Sequence, residues 1–562
     1  MKVLFEGYKY STQLARNFLP NDYFEGNSEL PKPRVVGYHY SVEFNCPVII
    51  LPKVFLDETD SFFLDGINPE VFLQDDYLTL ILNSETRKQI ANFLFECSSW
   101  FYFSIKKYYY KYRDTLSLFE DKLNIIDCSH NKNFHTELDI IFSLLKFNKE
   151  NKDLFLFIKK INKSQNSKID WNRTIKKTNP IIDATGSPIY LETLGKKKQV
   201  NVDEDLIVLF LTLLKDIERK YNIKISINPY YNLLSQKEFN KLKRRGTYYL
   251  RTIRYKYFDD RLLTLYRLLY TYFDKSNQSN ITDKRNEYLI IKDYNLVFQD
   301  MVDELLSDTD IPNKLKKHKD GKELDHIYKS NSFFEGDDIY FIGDSKYYKR
   351  GNPIEGKSIY KQFTYAKNVI QYNIDTFNKD GNYPSGIRYR DELSEGYNIT
   401  PNFFIRGLVK DLNQTLPELT LDENQQIDKH TNIHFPNRLF DRDTLIVQSY
   451  SINFLYVIWS YISSNKSDIN HFKLDAKRKF YTSLVEYIES NYTFSLITPE
   501  IPVSEFIKNN FYHLNGRIYR PANFHETNSF ILGLKRNDTA TEHLSNNIVE
   551  NYSIKEYKFN SE

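Results

Sequence analysis

The stretch KELDHIYKSNSFFEGDDIYFIGDSKYYK, residues 322–349, reads as two β-strands joined by a turn. The first run is Leu324–Tyr328. The second, Asp338–Tyr348, is rich in β-formers, and Asn331–Gly336 between them carries the turn residues. Side chains two apart on a strand share a face, so Asp344 and Lys346 point the same way as Tyr340 and Ile342. With the turn centred between Phe334 and Glu335, residue 325 falls opposite residue 344. Directly opposed residues have Cβ atoms about 4.5–5.5 Å apart. Asp325 and Asp344 then converge, with Lys346 one pleat further along.

Two adjacent carboxylates repel unless a cation lies between them. Hard oxygen donors suit Mg2+, which takes one or two protein carboxylates and keeps water or phosphate oxygens elsewhere in its shell. A lysine alongside orients the attacking water and offsets charge on the phosphate. The reading is metal-assisted phosphodiester hydrolysis, with Asp325 and Asp344 on the metal and Lys346 on the water. A solvated edge hairpin is the alternative, because a bare Asp-x-Lys triplet is common. His326 alternates to the opposite face of the strand and stays outside the site.

The flanking sequence extends this reading. A helix is expected over 357–370, with Gln362 and Tyr365 on neighbouring turns. Another precedes the hairpin at 295–307 and carries Phe298-Gln299, with Asp300 and Asp303 facing elsewhere on it. Lys314, Lys316, Lys317 and Lys319 form a basic lead-in, open to reading as phosphate contacts or as a solvated loop.

This order, Asp, then Asp-x-Lys, then a helix bearing Gln and Tyr, resembles the PD-(D/E)xK nuclease superfamily. The resemblance implies that Gln362 supports the site near the scissile phosphate. Leu324-Asp325 stands where relatives carry Pro-Asp, and Gln299 stands where they carry a helical Glu, so the fourth acidic group is missing. The runs KIDWNRTIKKTNP (168–180), Ser187–Tyr190, Arg390–Phe404, Asn437–Thr444 and Asn453–Leu455 resemble the LlaJI family of restriction endonuclease subunits, which is related to McrC. That likeness covers about residues 165–465. It implies a subunit that cuts double-stranded DNA alongside a McrB-like AAA+ GTPase. The chain is expected to carry no G-x-x-x-x-G-K-[ST] phosphate cradle of its own, so that GTP enters only through the partner. Trp171, Arg173 and Lys176 become candidate contacts to that partner, against the reading of a core Trp and surface charges.

Composition bounds the rest. The chain has 562 residues, 41% hydrophobic and 27% charged, enough for a multidomain α/β protein with real cores. The expected division is an N-terminal α+β partner-binding region over 1–165, a mixed strand and helical region over 166–285 with the docking segment, and the nuclease domain over 286–562. That last domain is expected as a mixed sheet flanked by helices, with a C-terminal extension. Polar breaks are read at 161–170 and 275–284. Three cysteines in 562 residues make no disulfide framework, the first residues show no secretory signal, and no apolar run approaches the ~20 residues of a membrane span. A cytoplasmic protein without membrane contact is expected.

The net charge is only +3, so any nucleic-acid surface must be local. One candidate is Lys237–Lys256, with eight Lys or Arg against Glu238 alone, interleaved with Tyr248, Tyr249 and Tyr255. It is either a phosphate-tracking face with aromatic support or a solvated helix whose tyrosines pack inward. Two rivals to the restriction reading remain open. One is a repair nuclease of the same superfamily acting without a GTPase. The other is a non-catalytic DNA-binding assembly subunit, which Gln299 would favour.

Overall fold

The computed structural model describes residues 1–562 except 12–13, 26–29, 42, 45, 75–83, 113–122, 126–135, 153, 163–167, 222, 282–286, 318–322, 383–385, 413–417, 422–434, 436, 464, 525–526, 539–552 and 560–562. The protein is a mixed α/β molecule with several sheets.

The first sheet contains β1 (Lys2–Phe5), β2 (Val36–Ser41), β3 (Cys46–Leu51), β4 (Leu123–Ile125) and β5 (Tyr288–Ile291), in the order β1-β3-β2-β5-β4. β1 and β3 are parallel and the remaining pairs antiparallel. β5 comes from far along the chain, so the polypeptide returns to this sheet at 288–291 before it builds the second. Long-range pairing of this kind leaves no local signature, because a short apolar strand reads the same whichever sheet it joins.

Four helices accompany the first sheet: α1 (Ser84–Tyr112), α2 (Glu137–Glu150), α3 (Asp205–Tyr221) and α4 (Asp260–Ile281). Thr136 and Asp139 close a capping box at the start of α2, which satisfies amides that a helix N-terminus leaves free. The polar break expected at 275–284 is corrected in part, since α4 runs on to Ile281. Buried Leu265, Leu269, Tyr272 and Phe273 anchor its earlier turns, and Lys275 is held by Glu287 at 3.0 Å.

The second sheet carries the hairpin. Its strands are β6 (His326–Asn331), β7 (Asp338–Lys346), β8 (Thr400–Leu408), β9 (Leu419–Leu421) and β10 (Leu445–Asn453), in the order β6-β7-β8-β10-β9. β7, β8 and β10 are parallel neighbours, and the outer strands run antiparallel to them. α5 (Tyr294–Leu306) precedes the hairpin, and α6 (Gly356–Asp380) makes the crossover from β7 to β8.

Consecutive residues of β8 show how the layers are filled. Phe404 faces α6 with Ile354, Ile359 and Val447. Phe403 faces the other way and stacks on Phe480 with ring centroids 4.2 Å apart. Both phenylalanines are buried, which stabilises each side of the sheet by about 1.5–3 kcal/mol per ring. Phe480 lies on α8 (Lys466–Asn491), which follows α7 (Phe454–Ser463).

A third, antiparallel sheet closes the C-terminal part, with β11 (Tyr492–Thr498), β12 (Ile518–Tyr519), β13 (Phe530–Lys535) and β14 (Ser553–Glu556) in the order β12-β13-β11-β14. Among the described residues, no helix is long and apolar enough to cross a membrane.

Candidate functional site

The β6–β7 hairpin has the register expected from its sequence. His326 pairs with Gly343 and Asn331 with Asp338, which sets Asp325, one residue ahead of β6, opposite Asp344. Gly343 is required by close packing, because a Cβ there would lie 2.1 Å from the Phe403 ring. The strand that presents Asp344 is therefore pressed flat against β8.

Asp344 and Lys346 are both largely buried and form an ion pair. The Lys346 ammonium also lies 5.1 Å from the centre of the Phe404 ring, a cation–π contact that holds its chain against the sheet. Asp325 keeps a partly open side. It accepts hydrogen bonds from Ser345 N–H at 3.1 Å and from Gln299 Nε2 at 2.7 Å.

The two carboxyls titrate as a pair. Burial, then the hydrogen bond and charge of Asp344, push Asp325 well above the usual carboxylate range. Burial also works against the Asp344 charge, but the hydrogen bond from Asp325 and then Lys346 outweigh it and hold Asp344 low. Without a cation, a proton on this pair is favoured on Asp325 over Asp344.

The helices add what the hairpin lacks. α5 supplies Gln299 at the position where the superfamily resemblance expects an acid. As expected, Asp300 turns away; it is bound by Lys111, Tyr112 and Tyr461. Asp303 is held by Lys316 at 2.7 Å and lies 3.4 Å from His326 Nδ1. His326, fully buried behind the hairpin, reaches Ser345 Oγ with its other nitrogen. α6 supplies Gln362, whose Nε2 donates to the Ile342 carbonyl at 3.3 Å and whose Oε1 is buried without a hydrogen-bond donor among the described residues. Gln362 thus grips the backbone of β7 two residues before Asp344 and touches neither carboxylate.

Lys361, its neighbour, is the residue the sequence reading missed. Its charge acts on both Asp344 and Asp325, and those carboxylates together with Tyr365 raise its own affinity for a proton although burial opposes it. Helical spacing beside Gln362 was the available signal, but an exposed lysine on a helix has many uses.

The basic lead-in divides. Lys316 is engaged with Asp303, Lys317 is exposed at 3.7 Å from Glu323, Lys314 is exposed, and Lys319 lies outside the described residues. Among the described residues, no group of three or more His, Cys, Asp and Glu side chains is arranged around a metal position. Two carboxylates with an adjacent amide nevertheless fit Mg2+, which needs no more protein oxygen than that. They do not fit a structural zinc site, which takes four N or S ligands.

Residues Gly351–Ser358 have the spacing G-x-x-x-x-G-K-S of a phosphate-binding loop, between β7 and α6, which corrects the expectation that the chain carries no such spacing. Such a loop works by turning its amides onto one anion. Pro353 has no amide hydrogen, and the Asn352 and Ser358 amides donate to the Lys349 and Glu355 carbonyls. Ile354 is packed among Ile359, Phe404 and Val447, and the N-cap residue of α6 is Glu355, an acid rather than a neutral donor. Ile354 is the one buried residue of the loop, whose other residues are exposed or half-buried, and the Asn352 and Ser358 amides are not turned onto a common anion position.

The candidate docking residues Trp171, Arg173 and Lys176 are all exposed, so the alternative of a core tryptophan fails. No family model matches the chain, and no curated protein matches it.

Proposed function

We propose that this chain is the Mg2+-dependent DNA endonuclease subunit of a GTP-dependent restriction system of the McrBC and LlaJI kind, cutting foreign double-stranded DNA. The observation that carries the reading is the meeting of Asp325 and Asp344 across the β6–β7 hairpin, with Lys346 paired to Asp344 on the same face. The strand, crossover helix, strand arrangement behind them is compatible with a PD-(D/E)xK core.

Asp325 and Asp344 would hold Mg2+, and the metal when bound would activate water and polarise the phosphate. Lys346 positions the attacking water and offsets charge on the phosphate. Lys361 adds a second positive charge that acts on the same carboxylates. Gln362 keeps β7 in place through the Ile342 carbonyl.

The partner reading has separate support. Ile169, Trp171, Ile175, Ile181, Ile182 and Leu191 all stand in solvent within one short segment. So much exposed apolar surface on a two-stranded hairpin and the short helix Trp171–Lys177 suits burial against another chain. A separate AAA+ GTPase, docked here, would supply the nucleotide hydrolysis.

The test is cleavage of duplex DNA with Mg2+ and GTP, by wild type and by Lys346→Ala, each with and without a McrB-like GTPase from the same source. Cutting by wild type with the GTPase, and by no other combination, is the expected result. Wild-type rates from Lys346→Ala would sink the hairpin mechanism, and cutting without the GTPase would favour the repair nuclease.

A further inference from the structure

The helical surface over residues 236–258 offers a second contact for nucleic acid, distant in sequence from the hairpin. Its eight cations face one acid, Glu238, in a chain of net charge +3, so the rest of the protein is net acidic. Glu238 is itself engaged with Ser235 in a capping box. Lys243 and Lys256 are neutralised by Asp216 and Asp205. Lys237, Arg244 and Arg245 are exposed and form no ion pair with an acid among the described residues.

The aromatic rings decide what such a surface is for. Tyr249 packs inward and donates to Asp205 at 2.8 Å, but Tyr248 and Tyr255 are each 71% exposed and Phe258 is 83% exposed. The reading in which all these tyrosines support the core therefore fails. Tyr248 and Arg251 are three apart on the helix Gly246–Ile253, and Tyr255 stands in the 3-10 turn Arg254–Lys256 that follows it directly. Arg251 donates to the Tyr270 hydroxyl at 2.6 Å, Arg254 lies over the Tyr266 ring, and Tyr266 stacks on Tyr270. Flat guanidinium and phenol groups are thus held in a ladder beside rings that nothing covers. Exposing large rings to water is unfavourable, and unpaired bases are flat partners that stack on them while the cations meet the phosphates. A paired duplex hides its base faces and cannot use the rings.

We propose that this surface binds single-stranded DNA through base stacking on Tyr248, Tyr255 and Phe258 and phosphate contacts to Lys237, Arg244 and Arg245. The choice of DNA over RNA rests on the nuclease reading; the binding itself does not.

The experiment is fluorescence anisotropy of the full chain in EDTA, where no cleavage intervenes, with a labelled oligo-dT of about 20 nucleotides, longer than one aromatic groove covers. Each of Tyr248→Ala, Tyr255→Ala and Phe258→Ala should weaken binding about tenfold. Arg244→Glu with Arg245→Glu should weaken it and lower the dependence on salt by about 0.7 per charge removed. A duplex of equal length should compete poorly. Tyr512→Ala, which removes an equally exposed ring elsewhere on the chain, should bind oligo-dT as wild type does. Failure of wild type to bind, or unchanged binding by all three ring variants, would overturn the proposal. Displacement by polyglutamate as effective as by unlabelled oligo-dT would overturn it too, in favour of an acidic protein partner.

Discussion

Gln299 donates its amide hydrogen to Asp325 Oδ1 at 2.7 Å, joining α5 to the carboxylate pair that the β6–β7 hairpin brings together. A neutral side chain thus meets a carboxyl pair in which Asp325 is pushed toward its neutral form and Asp344 is held charged. The hydrogen bond favours the charged form of Asp325, against the burial and the Asp344 charge that push it toward the neutral form.

Gln299→Glu is expected to lower stability in EDTA by about 1–3 kcal/mol, because a further carboxyl must be accommodated without a cation. Mg2+ should then stabilise the variant more than it stabilises wild type. Urea unfolding with and without Mg2+ measures both, and equal Mg2+ effects on the two proteins would refute the placement of the ion.

Lys361 acts on the pair by charge from an exposed position on α6. Lys361→Ala should leave unfolding within about 0.5 kcal/mol of wild type, as surface substitutions do. Its cleavage rate should fall about 10- to 100-fold, corresponding to 1.4–2.7 kcal/mol of lost stabilisation. A cleavage assay under saturating Mg2+ tests this, and an undiminished rate would remove Lys361 from the site.

Gly343→Ala should be severe, because the new methyl group would meet the Phe403 ring where β7 and β8 touch. Overpacking of this kind typically costs about 1–3 kcal/mol. The double variant with Phe403→Leu should recover part of the loss. Absence of any recovery in urea unfolding would mean that the clash is relieved elsewhere.

His39, buried on β2 between the rings of Tyr23 and Tyr288, is kept neutral by burial, with its pKa lowered to about 4. A base depressed on folding binds more protons when unfolded between that value and about 6.5. Its contribution is therefore complete above about pH 6.5 and is lost as the pH falls toward 4, by at most about 3 kcal/mol. Unfolding measured from pH 7 to pH 4 should show this slope, and His39→Phe should flatten it. An imidazole NMR titration midpoint near 6.5 would contradict the assignment.

What the sequence determined alone is what depends on local periodicity. The two-residue repeat of a strand and one turn centre set which residues of the β6–β7 hairpin face each other, so the approach of Asp325 to Asp344 was legible without coordinates. The helices expected over 357–370 and 295–307 were legible for the same reason, although the first runs ten residues further, to Asp380. Tertiary structure alone decided where β5 pairs, that Gln299 reaches Asp325, and that the Lys361 charge acts on both carboxylates. It also decided that Lys316 is tied to Asp303, and that Tyr248 and Tyr255 lie in solvent while Tyr249 does not. Each of these depends on how elements distant in sequence pack on one another. Packing selects among faces that the same residue pattern presents equally well, so no local spacing encodes it.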